Sequence, residues 1–189
     1  VDKVAFAVGL KQDAKPGTVW TYNNSAIQTL SAVLRKATGK EPAVFASEEL
    51  FTPLGMRDTR WLPDQSGHTS TYAGISSTCR DLARFGLMTM RHGTWNGKQI
   101  VPAAYLAEAT GKSSTTLNAA YGLLWWVNHP GRLLGALTAT GSASAEKPYV
   151  GQLAPRAPKD AYWALGFGKQ IISVVPSEGI VAVRMGTMP

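Results

Sequence analysis

The sequence predicts an α+β fold in which a helical region is followed by antiparallel strands. Apolar residues recur at helical spacing in the first part of the chain, whereas short runs rich in aromatic and β-branched residues dominate its last third. This order, with helices first and strands last, is typical of α+β domains. We expect one domain, with residues of about 20–115 mainly helical and residues of about 120–189 mainly strands and loops.

Residues that typically begin or end helices define the predicted helices in the first half of the chain. Asn24 or Ser25 can cap a helix that ends at Gly39, because a glycine commonly stops a helix. The apolar residues of this helix share one face, namely Ile27, Leu30, Leu34 and Ala37. A second helix is expected over residues 42–51, because Pro53 cannot continue it.

Start and turn signals also recur in the middle of the chain. Residues 53–72 read as a loop, and Thr78 and Asp81 then form a Thr-x-x-Asp signal for the start of a helix. An Asn-Gly pair within residues 92–98 indicates a turn. A further helix is expected over residues 102–110, opened by a proline and followed by a glycine.

Four apolar runs predict the strands. The first covers residues 121–127, and a long loop over residues 128–160 follows it. The other three strands are expected at residues 161–165, 170–175 and 180–185. Only four residues separate the last two runs, which therefore should form an antiparallel hairpin.

Composition excludes several classes of function. The 189 residues carry a net charge of +7, but the basic residues are scattered and form no run, which argues against nucleic-acid binding. No apolar run reaches the roughly 18 residues that a membrane span needs. Cys79 is the only cysteine, so no internal disulfide can form, and we expect it to pack as a small apolar residue.

Four short segments of the chain together resemble the sequence motifs of a known protein family. They are Tyr22-Asn23-Asn24 at the mouth of a helix, Pro53–Thr59 with its Pro-Leu-Gly-Met sequence, Gly74–Gly86 with Ser-Thr and Asp-Leu-Ala-Arg-Phe, and Ala164–Gln170 followed by Pro176. In this order they resemble the β-lactamase-like serine hydrolases, which include class C β-lactamases, penicillin-binding proteins, esterases, amidases and nylon-oligomer hydrolases. The resemblance implies a partial β-lactamase/transpeptidase-like fold and needs no cofactor.

The chemistry that the resemblance implies is acyl transfer by a serine. The serine attacks the carbonyl of a small ester or amide, and water then releases the acyl group. Tyr22 would take part in proton transfer, and Asn24 would hold the acyl side of the substrate. Gly166 would let the substrate approach its strand, and the backbone N–H of Phe167 would help to form the oxyanion hole. Tyr22 and Asn24 should therefore face the same cleft as the Gly166 strand.

One position departs from the family's pattern. Ala164 occupies the place at which enzymes that recognise a substrate carboxylate carry a cationic residue. We therefore expect Ala164 to contact a neutral ester or amide substrate. Lys169 lies close by in the sequence, but we expect it to face solvent in a turn.

The family's nucleophile, a serine followed three residues later by a lysine, should precede Tyr22. No serine precedes Tyr22, so we expect this chain to be a C-terminal portion whose nucleophile lies outside it, on the same protein or on a companion chain. The literal match Ser144-Ala145-Glu146-Lys147 lies in the wrong order, and Pro148 disfavours helical geometry at Lys147. The alternative is a non-catalytic relative that binds a ligand or a partner.

Metal and classical triad sites are not indicated. His68, His92 and His129 have no partner at metal-ligand spacing, and each is expected to be a polar surface or loop residue. Trp125 and Trp126 could line a substrate cleft, but burial in the core is the more usual role of such residues.

Overall fold

A computed structural model describes residues 1–134 and 149–186 of the chain. The chain divides into two compact units, Val1–Asp81 and Leu82–Pro189. The helices are α1 (Lys3–Gly9), α2 (Asn24–Thr38), α3 (Pro42–Ala46), α4 (Thr52–Leu54), α5 (Cys79–Met90) and α6 (Ala103–Gly111), with a π-helical turn (Ser47–Phe51) between α3 and α4. The α+β class predicted from the sequence is confirmed.

The strands belong to one four-stranded sheet and three two-stranded pairs. They are β1 (Arg60–Trp61), β2 (Ile75–Ser76), β3 (Thr94–Trp95), β4 (Lys98–Gln99), β5 (Trp126–Val127), β6 (Gly131–Leu133), β7 (Tyr149–Gly151), β8 (Tyr162–Gly166), β9 (Gln170–Val175) and β10 (Ile180–Arg184). The sheet has the order β10-β9-β8-β5, and all of its pairs are antiparallel. The predicted hairpin of the last two strands is confirmed as β9–β10.

Local signals place most helix ends of the Val1–Asp81 unit correctly, with two corrections. The cap of α2 is Asn23, whose side chain accepts a hydrogen bond from the N–H of Ala26 (3.1 Å), and not Asn24 or Ser25. The predicted stop at Pro53 is also wrong, because the helical path continues to Gly55. Pro53 has no N–H to donate, and the wider π-helical turn before it accommodates the proline ring.

Two further features of this unit were not predicted. Asp2 caps α1 by accepting hydrogen bonds from the N–H groups of Val4 and Ala5, both at 2.9 Å. The segment predicted as a loop over residues 53–72 contains β1, which pairs with β2. Both features were missed because a seven-residue helix and a two-residue strand carry little periodic signal.

The Leu82–Pro189 unit contains a well-packed core. Its cluster of buried side chains consists of Ala109, Trp125, Val127, Tyr162, Ile172 and Val174, and helix α5 packs the partly buried Leu82, Phe85 and Met90 against it. The Trp125 ring meets the Tyr162 ring edge to face at a centroid distance of 5.3 Å. Helix α5 lies close to the sheet at Gly86, where a Cβ atom would come within 2.7 Å of Val181 Cγ1. The expectation that Trp125 and Trp126 are buried is confirmed.

The strand predicted over residues 121–127 is shorter than expected. Only Trp126 and Val127 form a strand, because the chain folds back on itself just before them. The N–H of Gly122 donates to the Trp125 carbonyl (2.8 Å), and Leu124 takes a positive φ of 64°. The Asn-Gly turn, in contrast, is confirmed: Asn96 and Gly97 join β3 to β4 with positive φ at both positions.

Two carboxylates, the buried Asp64 and the half-buried Glu41, tie the segments of the Val1–Asp81 unit together. Asp64 accepts hydrogen bonds from the N–H groups of Lys3, Ser66 and His68 at 2.8–3.0 Å. Glu41 accepts from the Thr69 N–H (3.0 Å) and contacts the His68 ring (3.1 Å). Burial pushes the pKa of both carboxyls up, but these hydrogen bonds and the His68 ring together hold each pKa below its ordinary value.

We expect this unit to lose stability in acid. A carboxyl whose pKa is depressed by folding stabilises the fold above its unfolded pKa, which is 4.5 for Glu41 and 3.8 for Asp64, and that stability is lost as the pH falls through the folded pKa. Hydrogen exchange in the peptide covering residues 60–75, corrected for intrinsic rates, should therefore accelerate below about pH 4.5.

The matched pair for this measurement is Asp64→Asn and Asp13→Asn, since Asp13 is exposed and takes no part in these hydrogen bonds. Asp64→Asn should weaken protection at pH 7 and flatten its pH dependence, whereas Asp13→Asn should leave the profile unchanged. Identical profiles for the two variants would contradict this account.

The sheet also predicts how the chain behaves in isolation. Among the described residues, β10 pairs only with β9, so its other edge has no strand partner. Open sheet edges promote pairing between molecules. We therefore expect the chain to self-associate at micromolar concentration in size-exclusion chromatography with light scattering.

A charge on β10 should shift this equilibrium toward the monomer. Ala182→Lys places a lysine on an exposed position of β10, and Val150→Lys, on the exposed strand β7 outside the sheet, serves as the control. A wild-type chain that elutes as a monomer and unfolds cooperatively would show that the edge needs no partner.

Candidate active site

Tyr22 and Asn24 lie on either side of Asn23, the residue that caps α2. Tyr22 is half-buried and ends the loop between α1 and α2. Asn23 is the cap of α2, and Asn24 is the first residue of that helix. Asn23 supplies the capping oxygen, so the amide of Asn24 is not used for that purpose and lies exposed. This local geometry places a phenol and an amide on either side of one helix cap.

A buried glutamine fixes the start of α2. Gln28 is 1% exposed, its amide N–H donates to the Thr69 carbonyl (3.0 Å), and its amide oxygen accepts from the Thr71 N–H (3.1 Å). The Thr71 hydroxyl in turn donates to the Ile27 carbonyl (2.7 Å). Gln28 therefore anchors the turn that carries Asn24 to a segment more than forty residues away. Sequence reasoning missed this role, because a polar residue beside Ile27 is typical of a solvent-facing position.

Two of the four resembling segments meet in this unit. Asp81 is 1% exposed and accepts hydrogen bonds from the Asp58 N–H (2.9 Å) and the Thr59 hydroxyl (3.1 Å). The Thr78 hydroxyl accepts from the Asp81 N–H (3.2 Å), which confirms the predicted helix start. Cys79 is the first residue of this helix and is exposed, so its expected role as a buried packing residue is wrong.

The other candidate residues lie at the end of β8. Gly166 is the last residue of the strand, and Phe167 begins the turn to β9 with its side chain 99% exposed. Ala164, two residues earlier, packs against the hydrophobic core. Gly166 pairs with Gln170, and a Cβ atom at Gly166 would lie 3.1 Å from the Gln170 Cβ atom. A side chain at position 166 would therefore crowd the neighbouring strand, because Gln170 would have to shift by a few tenths of an ångström.

Two side chains brace this turn. The Arg184 guanidinium donates to the Lys169 carbonyl (2.6 Å), and Lys169 is exposed with a positive φ of 61°. The Gln170 amide makes two hydrogen bonds with the backbone of Gly186, at 2.9 and 3.0 Å. Sequence reasoning did not identify Gln170 or Arg184, since their partners become neighbours only when the strands pair.

The structure therefore arranges the candidate residues in two sets, Tyr22 with Asn24 in the Val1–Asp81 unit and Ala164 with Gly166 and Phe167 in the Leu82–Pro189 unit. That both sets face one cleft stays a prediction. Ser144 and Lys147 lie outside the described residues. Within residues 1–134 and 149–186, no three potential metal ligands cluster, and no described helix has the length and apolarity to cross a membrane.

Comparison with known proteins decides the family. The sequence model of the Beta-lactamase family matches residues 2–187. The chain belongs to the beta-lactamase family. This family consists of serine hydrolases that work through an acyl-enzyme, and the recognition made from four short segments is confirmed.

Solved structures of beta-lactamase-family proteins share the fold. A Bacillus anthracis protein named "Putative 6-aminohexanoate-dimer hydrolase" is 26% identical and superimposes with a TM-score of 0.73, covering 96% of this chain and 42% of that protein. A class C beta-lactamase from Rhodobacter sphaeroides is 17% identical, with a TM-score of 0.60, over 100% of this chain and 61% of its own. The D-alanine carboxypeptidase AmpC from Burkholderia cenocepacia is 18% identical, with a TM-score of 0.56, over 95% of this chain and 59% of its own.

A curated relative has similar coverage. An uncharacterized protein from Alkalihalophilus pseudofirmus is 24% identical over 198 residues, which cover 93% of this beta-lactamase-family chain and 54% of that protein. The chain thus spans about half the length of the curated relative that it matches.

Proposed function

We propose that this chain is part of a serine hydrolase that cleaves neutral esters or amides through an acyl-enzyme, with the Ser-x-x-Lys nucleophile outside residues 1–189. Tyr22 takes part in proton transfer to and from the serine, and Asn24 binds the acyl side of the substrate. The N–H of Phe167 stabilises the oxyanion of the tetrahedral intermediate.

One observation carries this proposal: the family match over residues 2–187 contains both the Tyr22 segment and the Gly166 turn. The local structure supports it, since Asn24 is exposed and the Phe167 turn is braced by Arg184. A preorganised donor is what oxyanion stabilisation requires, because its hydrogen bonds need no rearrangement during the reaction.

The proposed class of substrate is supported by Ala164 and by the name of one similar protein. Ala164 offers no positive charge at the place where carboxylate-recognising relatives carry one, and its side chain packs against the core. The Bacillus anthracis protein, at 26% identity, carries the name of a 6-aminohexanoate-dimer hydrolase, that is, of an enzyme that acts on an amide. Ala164 therefore favours a substrate without a carboxylate at this position, and the name of the relative favours the cleavage of an amide.

The first test uses the 189-residue chain itself. It should not hydrolyse p-nitrophenyl acetate faster than its Ser144→Ala variant, because Ser144 is not the nucleophile. A burst of p-nitrophenol that disappears in Ser144→Ala would overturn the placement of the nucleophile outside the chain.

The second test determines whether the complete protein is an enzyme. The full coding sequence is read for a Ser-x-x-Lys upstream of Val1 or on a companion chain, and the encoded protein is incubated with p-nitrophenyl acetate. We expect an adduct of one acetyl group on that serine by mass spectrometry, and its loss when the serine is replaced by alanine. A complete protein that neither forms this adduct nor releases p-nitrophenol would instead support the alternative of a non-catalytic binding protein.

A further inference from the structure

The Leu82–Pro189 unit contains a cavity of about 450 Å³ at the opposite end of β8 from the Phe167 turn. Tyr162, the first residue of β8, and Pro176, the residue after β9, lie at one side of it. At roughly 3.3 Å per residue, the five steps from Tyr162 to Phe167 place the Tyr162 backbone about 16 Å from the candidate oxyanion donor. The cavity is therefore distinct from the Phe167 turn.

The wall of the cavity is mainly apolar. Met90, Leu106, Tyr162 and Pro176 contribute to it, and Leu106 and Tyr162 are 5% and 3% exposed. The Tyr162 hydroxyl donates to the Thr89 hydroxyl (3.1 Å), so the polar atom of this ring already has a partner. The volume lies within the range of about 300–1,000 Å³ that is typical of small-molecule sites.

Within the described residues, some polar side chains that line the cavity are already hydrogen-bonded to other protein groups, and others are not. Both carboxylate oxygens of Asp160 accept hydrogen bonds from Ser177, one from its N–H (2.7 Å) and one from its hydroxyl (2.9 Å). A ring nitrogen of His129 donates to the Gly111 carbonyl (2.7 Å). In the described part of the chain, the structure gives neither the Lys159 ammonium nor the His92 ring a hydrogen bond or an ion pair, although both line the cavity. Lys159 and His92 are exposed and can therefore turn toward a ligand, whereas the Asp160 carboxylate is held by Ser177.

We infer that this cavity binds a linear aliphatic monocarboxylate. The chain of the ligand packs against Met90, Leu106 and Pro176, and its carboxylate faces Lys159 and His92. Burial of the aliphatic chain contributes about 0.8 kcal/mol per CH₂, which makes a medium-length chain a better ligand than acetate. A charge-assisted hydrogen bond from Lys159 selects the carboxylate over a neutral or cationic head group.

The probe for this site is sodium octanoate, titrated into the 189-residue chain by calorimetry. We expect saturable binding, with octanol and octylamine at least about tenfold weaker and with acetate showing no binding. Protein NMR should place the octanoate-induced shifts on residues of the cavity wall, such as Ala107 and Thr110. Shifts that appear instead on β10 or at Phe167, or octylamine binding as tight as octanoate, would overturn the inference.

Two variants test separately the contribution of the Lys159 charge and that of the apolar cavity to octanoate binding. Lys159→Met removes the cation at an exposed position and should weaken octanoate binding at least about tenfold, whereas Lys98→Met, also exposed and outside the cavity, should leave it unchanged. Ala107→Trp fills the cavity from the exposed side of α6 without removing a core side chain, and should abolish binding. Undiminished binding in either Lys159→Met or Ala107→Trp would overturn the inference. These measurements need no hydrolysis, so they remain decisive even if the proposed enzymatic function fails.

Discussion

Replacing Tyr22 by Phe should lower kcat/KM for p-nitrophenyl acetate by about 10²- to 10⁴-fold in the protein that contains the Ser-x-x-Lys segment. The substitution removes only the hydroxyl that we propose to relay the proton of the nucleophilic serine. The ring remains, so the connection before α2 and its Asn23 cap should keep their structure. The loss should appear in kcat more than in KM, since proton transfer acts on the transition state.

Tyr105→Phe is the matched control for this experiment. Tyr105 lies on α6 with its side chain 51% exposed, and the same hydroxyl is removed there at a position with no proposed role in catalysis. Its kcat/KM should equal that of the unmodified protein. If Tyr22→Phe retained full activity as well, the role proposed for Tyr22 would be wrong, even though the family membership would stand.

Replacing Gly122 by Ala should destabilise the Leu82–Pro189 unit by about 3 kcal/mol, at the upper end of the usual cost of overpacking. A Cβ atom at Gly122 would lie 2.1 Å from the Ala109 carbonyl oxygen, and a backbone oxygen cannot move aside as a side chain can. That carbonyl also accepts the Leu123 N–H (3.1 Å), so a shift would disturb the fold-back before β5. Urea unfolding measures the effect.

Gly111→Ala is the control for this variant. Gly111 ends α6, and a Cβ atom there would meet nothing within 4 Å. Alanine favours helix over glycine by up to about 1 kcal/mol, so this variant should be neutral or slightly more stable. Equal unfolding midpoints for the two variants would show that the chain around Gly122 relaxes more easily than its geometry implies.

Signals that are local in the sequence were sufficient for much of the fold. The Gly39 stop, the Thr78 helix start and the Asn-Gly turn at residues 96–97 each depend on neighbours within a few residues. The final hairpin follows from two β-branched runs joined by a short turn. The family, too, was recognisable from four short segments, because each preserves its residues in order.

Other features depended on partners distant in the sequence. The run over residues 121–127 was predicted as a strand from its apolar composition, but its hydrogen bonds turn back at Gly122 and toward Ala109 instead. Apolar composition indicates burial and does not specify which backbone groups will pair. Pro53 was likewise predicted as a stop, because a π-helical turn cannot be recognised from the proline itself.

By itself, the sequence determined the fold class and the family. It also predicted the candidate residues Tyr22, Asn24, Ala164, Gly166 and Phe167, whose roles stay predictions. Only the tertiary structure revealed what holds two of these in place: Gln28 anchors the turn of Asn24 to Thr69 and Thr71, and Arg184 braces the turn after Phe167. The physical reason is that a hydrogen bond between a side chain and a backbone group carries no sequence signature at the residue that supplies the backbone group, because its side chain is not involved.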